Sequence, residues 1–345
     1  MTSLSLSIRP VRLRDIPGLF AVSSILSLNQ PEASLAAYHP AHAALSSILP
    51  GRHRARMFVA QADEGILAFA HFVPEPPDQR WQLIALGAST GVYDVTPLWE
   101  ELIERSIVAA GLRGVKRLYA RAPSGSPALS AMRATGFQAY ANESLFVSEN
   151  ARVPAAAGIK LRRQEQTDTW AIHQLYNAVT PRQVQYAEAY TSHRWDLSAR
   201  RTTPSGVTVS GWLVEEAFQV VAYVRATSLG SMHALELIVH PDWMSIAGDV
   251  VDAAIAKIAA QRKVTHIYCA IRGYQQELST ALQQRGFRQF GELTLLVKYT
   301  AARALAPSTV EQPVQTEGVL ERLPKPKRAP SFLLKRGDEN AQSSE

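Results

Sequence analysis

The chain has 345 residues, a formal net charge of +6 at pH 7 and 46% hydrophobic residues, a composition typical of a globular protein with room for two ordinary domains. No apolar run reaches the roughly 18 residues that a membrane-spanning helix needs, and residues 1–7 lack the basic and apolar regions of a secretory signal. Cys269 is the only cysteine, which excludes an intrachain disulfide and a multi-thiolate metal site. We therefore expect a cytoplasmic protein that does not bind a membrane.

The first part of the chain alternates between strand and helix patterns. Alternation predicts a strand at residues 8–13, and helices follow from residue 17 and at 32–49. A hairpin is predicted over residues 57–73 and another strand over 81–88. The remaining predicted elements are a helix at 97–110, a strand at 116–121, a helix at 127–135 and final strands at 138–147.

The second part repeats this order after a linker at 149–158. A helix is expected at 167–179, whereas residues 181–206 are polar and irregular and receive no assignment. Three consecutive strands are predicted between residues 207 and 239. They are followed by a helix at 247–261, a strand at 265–271, a helix at 275–285 and closing strands at 288–299. From residue 302 the chain is rich in proline and charge, which predicts disorder.

A short motif shows that the two parts are copies of one unit. Leu129-Ser-Ala-Met-Arg-Ala-Thr-Gly-Phe137 returns as Ser279-Thr-Ala-Leu-Gln-Gln-Arg-Gly-Phe287, so the glycines at 136 and 286 lie 150 residues apart. Each copy is a short amphipathic helix that ends in Gly-Phe and precedes a β-rich segment. An internal repeat of this length indicates tandem domains.

The element order, the Gly-Phe ending and Val239-His-Pro241 at a strand end resemble the GNAT superfamily of N-acetyltransferases. The resemblance implies a mixed α/β (α+β) protein with two tandem acyl-CoA N-acyltransferase folds. Each would be a mostly antiparallel twisted sheet flanked by helices, with a splay near its fourth strand. The expected division is a non-catalytic domain at 1–148, a linker at 149–158, a domain with the cofactor site at 159–301 and a disordered tail at 302–345.

The same resemblance implies an acetyl-CoA site in the second domain. The pantetheine arm would lie along Leu237, Ile238 and Val239, and Gln275 stands where the family usually has an asparagine. The loop at the pyrophosphate departs from the family's glycine-rich pattern, and Asp249 would place a carboxylate beside the phosphates. This loop consists of Met244, Ser245, Ile246, Ala247, Gly248 and Asp249.

The first domain departs further from the family's cofactor loop. Its corresponding stretch, residues 89–97, has one glycine and no basic residue, and Glu100 and Glu101 follow in the next helix. The tyrosine that often acts as general acid in the family is replaced by Met132 in the first domain and by Leu282 in the second. Tyr274 is adjacent to the same space and is our candidate for that acid.

Glu236 is the candidate general base, because an amine must lose a proton to attack a thioester. It interrupts the apolar strand Leu235-Glu-Leu-Ile-Val239, and alternation places it with Ile238 and His240 on one face. Two alternatives remain open, a structural glutamate held in a salt bridge and His240 as the base. The equivalent strand of the first domain has Gln82 and no acid.

The resemblance to the GNAT superfamily implies an acetyl-CoA-dependent N-acetyltransferase that acts on a small-molecule or peptide amine. The alternative is a catalytically inactive tandem GNAT protein that serves as a ligand-sensing or protein-binding module. No metal is expected, because His39, His42 and His53 lack the spacing of a metal site on one helix face. The basic segment 322–336 could bind an anionic partner, but no motif indicates a nucleic acid.

Overall fold

The computed structural model describes residues 6–49, 56–63, 65–75, 79–90, 92–149, 151, 153, 158–197 and 206–300. All of these residues belong to one compact unit that extends from Met1 to Arg303. The predicted disorder of 302–345, the anionic partner of 322–336 and most of the linker lie outside the described residues.

The part of the chain up to Glu149, which we call the first repeat, contains strands and short helices in alternation. They are β1 (Ser7–Pro10), α1 (Ile16–Leu19), β2 (Ser24–Ser27), α2 (Pro40–Ile48), β3 (Arg56–Ala62), β4 (Gly65–Glu75), β5 (Arg80–Ala88), α3 (Thr96–Gly111), β6 (Arg117–Pro123), α4 (Pro127–Ala134) and β7 (Gln138–Glu149). The helix expected over 32–49 is interrupted. A 3-10 helix covers Glu32–Leu35, and α2 starts separately at Pro40, a residue that suits a first helical turn.

The second repeat, from residue 158 onward, follows the same plan. Its elements are β8 (Arg162–Arg163), α5 (Thr169–Val179), α6 (Arg182–Glu188), β9 (Val207–Glu216), β10 (Gln219–Leu229), β11 (Met232–Val239), α7 (Ala247–Ala259), β12 (His266–Arg272), α8 (Glu277–Gln283) and β13 (Arg288–Tyr299). The sequence left 181–206 unassigned. Its described part contains α6 and a 3-10 helix at Ser192–Trp195.

The repeated motif adopts the same local structure in both copies. Ser126 caps the start of α4, and its hydroxyl oxygen accepts a hydrogen bond from the Leu129 N–H. The helix ends before Gly136, which has a φ of +82°, and Gly286 occupies the corresponding turn with a φ of +80°. A glycine adopts this left-handed conformation without the steric cost that a Cβ brings. The following phenylalanines, Phe137 and Phe287, are both buried in the cores.

The two repeats share one continuous sheet, which corrects the expectation of a separate sheet in each domain. Among the described residues, thirteen strands are joined, with the path β1-β3-β4-β5-β6-β13-β7-β12-β11-β10-β9-β8 and with β2 paired to β5. Each repeat ends in one 12-residue strand rather than in a strand pair, and the two repeats exchange these strands. β13 pairs with β6 of the first repeat, and β7 pairs with β12 of the second.

The exchange follows from the need to satisfy backbone groups at the centre of the sheet. β6 and β12 would each present an unpaired edge, and the exchanged strands pair with those edges and with each other. The sheet is mostly antiparallel, as expected, and the parallel pairs are β5–β6 and β11–β12. Helices α3 and α4 pack on it in the first repeat, and α7 and α8 pack on it in the second. The domain boundary at 149–158 stays a prediction.

Candidate functional site

The sheet opens at one place in each repeat, next to the parallel strand pair. β5 pairs with β6 from Arg80 only to Leu83, and β11 pairs with β12 from Met232 only to Leu235. Beyond these residues the paired strands diverge and leave the backbone of β5 or β11 without a partner from the adjacent strand. This is the splay that the sequence predicted near the fourth strand.

The splay of the first repeat is filled by the protein itself. Strand β2, which the sequence analysis missed, pairs antiparallel with the diverging end of β5, from Ser24 opposite Ala88 to Ser27 opposite Ala85. The Leu28 N–H then donates to the Ile84 carbonyl at 2.8 Å. A ligand that binds by pairing with β5 would have to displace β2.

The splay of the second repeat has no such insertion among the described residues. Leu83 and Leu235 are the last residues paired with the following parallel strand, so residues 237–239 at the end of β11 correspond to residues 85–87 of β5. The Val239 carbonyl faces the gap, since it accepts a long 3.5 Å hydrogen bond from the Gln275 side-chain amide. Backbone groups two residues apart on a strand point to the same side, so Leu237 presents its backbone there as well.

A cavity of about 60 Å³ adjoins this splay, which gives room for roughly five waters. Both repeats contribute to its wall, because the exchanged strands bring β6 and β7 close to β12. Eight charged side chains line the cavity, and their charges balance. The cations are Arg121, Arg194, Arg225 and Arg272, and the anions are Glu32, Glu143, Glu188 and Glu236.

Arg272 lies at the centre of the charged cluster. Its Nε is 2.8 Å from Glu143 Oε1, and its Nη2 is 2.7 Å from Glu188 Oε1. The Tyr176 hydroxyl donates to Glu188 Oε2 at 2.7 Å, and burial together with this carboxylate raises the pKa of Tyr176. From the first repeat, Arg121 lies 3.8 Å from Glu143. The network therefore joins the two repeats through paired charges.

Glu236, the candidate base, lies on the wall of this cavity in a double ion pair. The Arg225 Nη2 donates to Glu236 Oε2, and the Arg194 Nη2 lies 3.5 Å from the same oxygen. The side chain of Glu236 is 36% exposed, whereas that of Arg225 is 2% exposed. Two guanidinium groups thus pair with one carboxylate oxygen of Glu236.

The packing of β11 agrees with the predicted alternation. Leu235, Leu237 and Val239 lie in the core beneath α7 and α8, and Ile238 packs on the opposite face with residues of α5. Glu236 shares the face of Ile238, where the charged cavity lies.

Tyr274 and Gln275 follow β12 in a 3-10 helix, Gly273–Gln275, and both line the cavity. The Tyr274 hydroxyl oxygen is 3.4 Å from Thr180 Oγ1. Burial raises the pKa of Tyr274 to about 12, with Arg272 opposing the shift. The phenol is therefore protonated at neutral pH and can donate a proton or a hydrogen bond.

The predicted pyrophosphate segment is helical rather than an open loop. Residues Pro241–Ile246 form a 3-10 helix that leads directly into α7 at Ala247. The Arg285 guanidinium covers Gly248 so closely that a Cβ at that position would lie 2.3 Å from it. Arg285 Nη2 also lies 2.8 Å from Asp252 and 3.9 Å from Asp249. The start of α7 thus has one positive charge, on Arg285, but the carboxylates of Asp249 and Asp252 offset it.

The structure brings together five of the predicted site residues and leaves the others apart. Glu236, Leu237, Ile238, Tyr274 and Gln275 line one cavity. Val239 faces the adjoining splay, and the segment from Met244 to Asp249 lies at the start of α7.

Sequence reasoning missed most of the charged cluster. Arg225 carried a usable signal, because it interrupts the apolar strand β10 just as Glu236 interrupts β11, and the two residues are directly opposite in the sheet. Arg121, Glu143 and Glu188 carried none, since their proximity depends on the strand exchange and on α6.

Two expected absences can be examined in the described part of the chain. No group of three or more His, Cys, Asp or Glu side chains there could hold a metal ion. No helix described in the structure is long and apolar enough to cross a membrane.

Neither a family model nor a curated protein sequence matches the chain. Among solved structures, a tandem GNAT protein from the clavulanic acid biosynthesis pathway (without AcCoA) is similar, with a TM-score of 0.52 and 12% identity. The match covers 86% of this chain and 98% of that one. A GCN5-related N-acetyltransferase from Sphaerobacter thermophilus is similar with a TM-score of 0.51 and 13% identity, over 85% of this chain and 95% of that one. The predicted fold is confirmed: the chain is a tandem protein with the fold of the GNAT N-acetyltransferases.

Proposed function

We propose that the second repeat is an N-acyltransferase that takes an acyl-CoA thioester, with acetyl-CoA as the reference donor, and that the first repeat is non-catalytic. The observation that carries the proposal is the contrast between the two splays. The first is filled by β2, whereas the second leaves the backbone of Leu237 and Val239 facing a gap beside a cavity.

The residues at the second splay fit the arm of such a donor. An amide-bearing chain can pair with the backbone of Leu237 and Val239 in the way that β2 pairs with β5, because each side has the donors and acceptors of a β-ladder. Gln275 supplies a further side-chain amide at this position.

The start of α7 fits the phosphate end of the donor less well. Its N–H groups and Arg285 attract an anion, but Asp249 and Asp252 oppose it. In this proposal Gly248 and the flanking residues from Met244 to Asp249 hold the pyrophosphate weakly, and the affinity comes from the splay.

When bound, the thioester supplies a carbonyl carbon whose C–S bond is replaced by a C–N bond to the acceptor amine. Glu236 receives the proton that the acceptor nitrogen releases when the neutral amine attacks, directly or through a water. The protonated hydroxyl of Tyr274 is the candidate donor toward the departing sulfur. Both side chains line the same cavity, which supports their joint assignment.

Calorimetry with acetyl-CoA on the full chain tests the proposal through its stoichiometry. We expect one site per chain, because β2 fills the first splay and no described strand fills the second. Ala270 lines the cavity, so Ala270→Phe should abolish binding. The same change at Ala139, an exposed residue of β7, should leave binding unchanged and serves as the matched control. Two sites per chain would contradict the assignment. An absence of binding would favour the non-catalytic ligand-sensing or protein-binding module.

A further inference from the structure

The charged cavity is costly to maintain as structure alone. Removing an ion from water carries a penalty of several kcal/mol, and paired burial often does no better than apolar side chains of similar volume. Here eight formal charges surround one small cavity at the junction of the repeats. A ligand that carries both a positive and a negative group would interact with both kinds of side chain.

Three buried polar atoms in the cluster have no hydrogen-bond partner within the described structure. They are Arg272 Nη1, Glu143 Oε2 and Glu32 Oε2, and all three residues line the cavity. The two carboxylate oxygens have only distant ion pairs to Arg121, at 3.8 and 3.7 Å. One unused donor and two unused acceptors thus belong to residues that line the same cavity, and an unsatisfied buried group of this kind raises the gain from a ligand that completes it.

The charge balance of the cavity limits the net charge of that ligand. Four arginines and four glutamates sum to zero, so a ligand with one net charge would leave an uncompensated charge in a poorly solvated space. A ligand that is neutral overall but carries an ammonium and a carboxylate avoids this penalty. It can also satisfy the donor and the acceptors together.

We propose that the acceptor is a small zwitterion, an amine that also carries a carboxylate. This inference rests on the proposed acyltransferase function. The carboxylate accepts a hydrogen bond from Arg272 Nη1, and the ammonium donates to Glu143 and Glu32. Tyr176, Tyr190 and Trp195 line the same cavity, and such aromatic faces exclude water and favour a nearby cation. The volume of about 60 Å³ selects short molecules.

The test is a titration of the full chain with matched probes, without any thioester. The zwitterions are glycine, β-alanine and 4-aminobutyrate, which differ in the distance between their charges. Each is compared with its primary amide, which keeps only the ammonium, and with its deaminated acid, which keeps only the carboxylate. We expect at least one zwitterion to bind ten or more times tighter than both of its singly charged analogues.

A conservative variant assigns the binding to the cavity. Arg272→Lys retains the positive charge between Glu143 and Glu188 but removes the planar fork, so it should weaken zwitterion binding at least tenfold. The binding of the amide should stay unchanged. Arg80→Lys is the matched control, because the Arg80 side chain is 9% exposed, against 16% for Arg272, and is not part of the cavity wall; it lies above the rings of Tyr119 and Tyr190.

The outcomes separate this inference from the proposed function. Equal or weaker binding of all zwitterions relative to their amides would overturn the inference, and so would an Arg272→Lys effect no larger than that of Arg80→Lys. If acetyl-CoA binds in that case, the acyltransferase proposal stands without it. If zwitterions bind selectively but acetyl-CoA does not, the proposed function fails while the zwitterion site stands.

Discussion

The ion pair between Glu236 and Arg225 should contribute to stability, because removing Glu236 leaves the buried guanidinium of Arg225 without its carboxylate partner. Arg225 is 2% exposed, and its Nη1 also donates to the Arg194 carbonyl at 3.3 Å, a neutral acceptor that cannot replace the carboxylate of Glu236. Breaking a fully buried pair costs about 3–5 kcal/mol. Glu236 is 36% exposed and glutamine keeps an acceptor oxygen, so we expect Glu236→Gln to cost about 2 kcal/mol.

Equilibrium denaturation with guanidinium chloride measures this loss of free energy. In thermal unfolding, the same loss should lower the Tm of a domain of this size by about 4 °C. Glu216→Gln, an exposed change on β9, is the control and should stay within about 0.5 kcal/mol. In a double-mutant cycle with Arg225→Met, the double variant should lose less free energy of unfolding than the sum of the two single variants, by at least about 1 kcal/mol. Additivity within about 0.4 kcal/mol would refute the pairing.

Activity distinguishes the remaining role of Glu236. If it receives the amine proton, Glu236→Gln should lower kcat/KM by about 10²–10⁴-fold when assayed well below the Tm. Arg225→Met should lower it less, since Arg194 still holds the carboxylate. An unchanged kcat/KM in Glu236→Gln would remove Glu236 from the chemistry and leave it as a structural glutamate.

Three further predictions concern other parts of the chain. Asp249→Asn should tighten acetyl-CoA binding about fivefold, because it removes about 1 kcal/mol of repulsion between the carboxylate and the phosphates. Asp242→Asn changes an exposed carboxylate on the preceding 3-10 helix and should leave the affinity unchanged. Equal effects of the two changes would show that the pyrophosphate does not bind at the start of α7. Burial lowers the pKa of His71 to about 4, so the unfolded chain, with a histidine pKa of about 6.5, binds the proton first as the pH falls. The free energy of unfolding should therefore drop by up to about 3 kcal/mol from pH 6.5 to 4, and a His71→Gln variant without a flatter profile would contradict this. Limited proteolysis should leave a core that ends near residue 300 with an unchanged Tm, and a lower Tm would indicate that the tail docks on the core.

The sequence by itself determined the features that depend on local pattern. The 150-residue repeat, the helices that end at Gly136 and Gly286, and most strands could be predicted because periodicity, capping and glycine conformation act within a few residues. The alternation of β11 also placed Glu236 on the face opposite the apolar core, and the structure agrees.

Only the tertiary structure decided which edges pair and therefore where the candidate site lies. The sequence held no signal that β7 and β13 exchange, because pairing over more than 100 residues depends on which partner edges remain unsatisfied in the assembled sheet. The same applies to β2, a four-residue strand that fills the first splay. The charged cavity follows from that exchange, since Arg121 and Glu143 reach Arg272 only when strands of both repeats lie side by side.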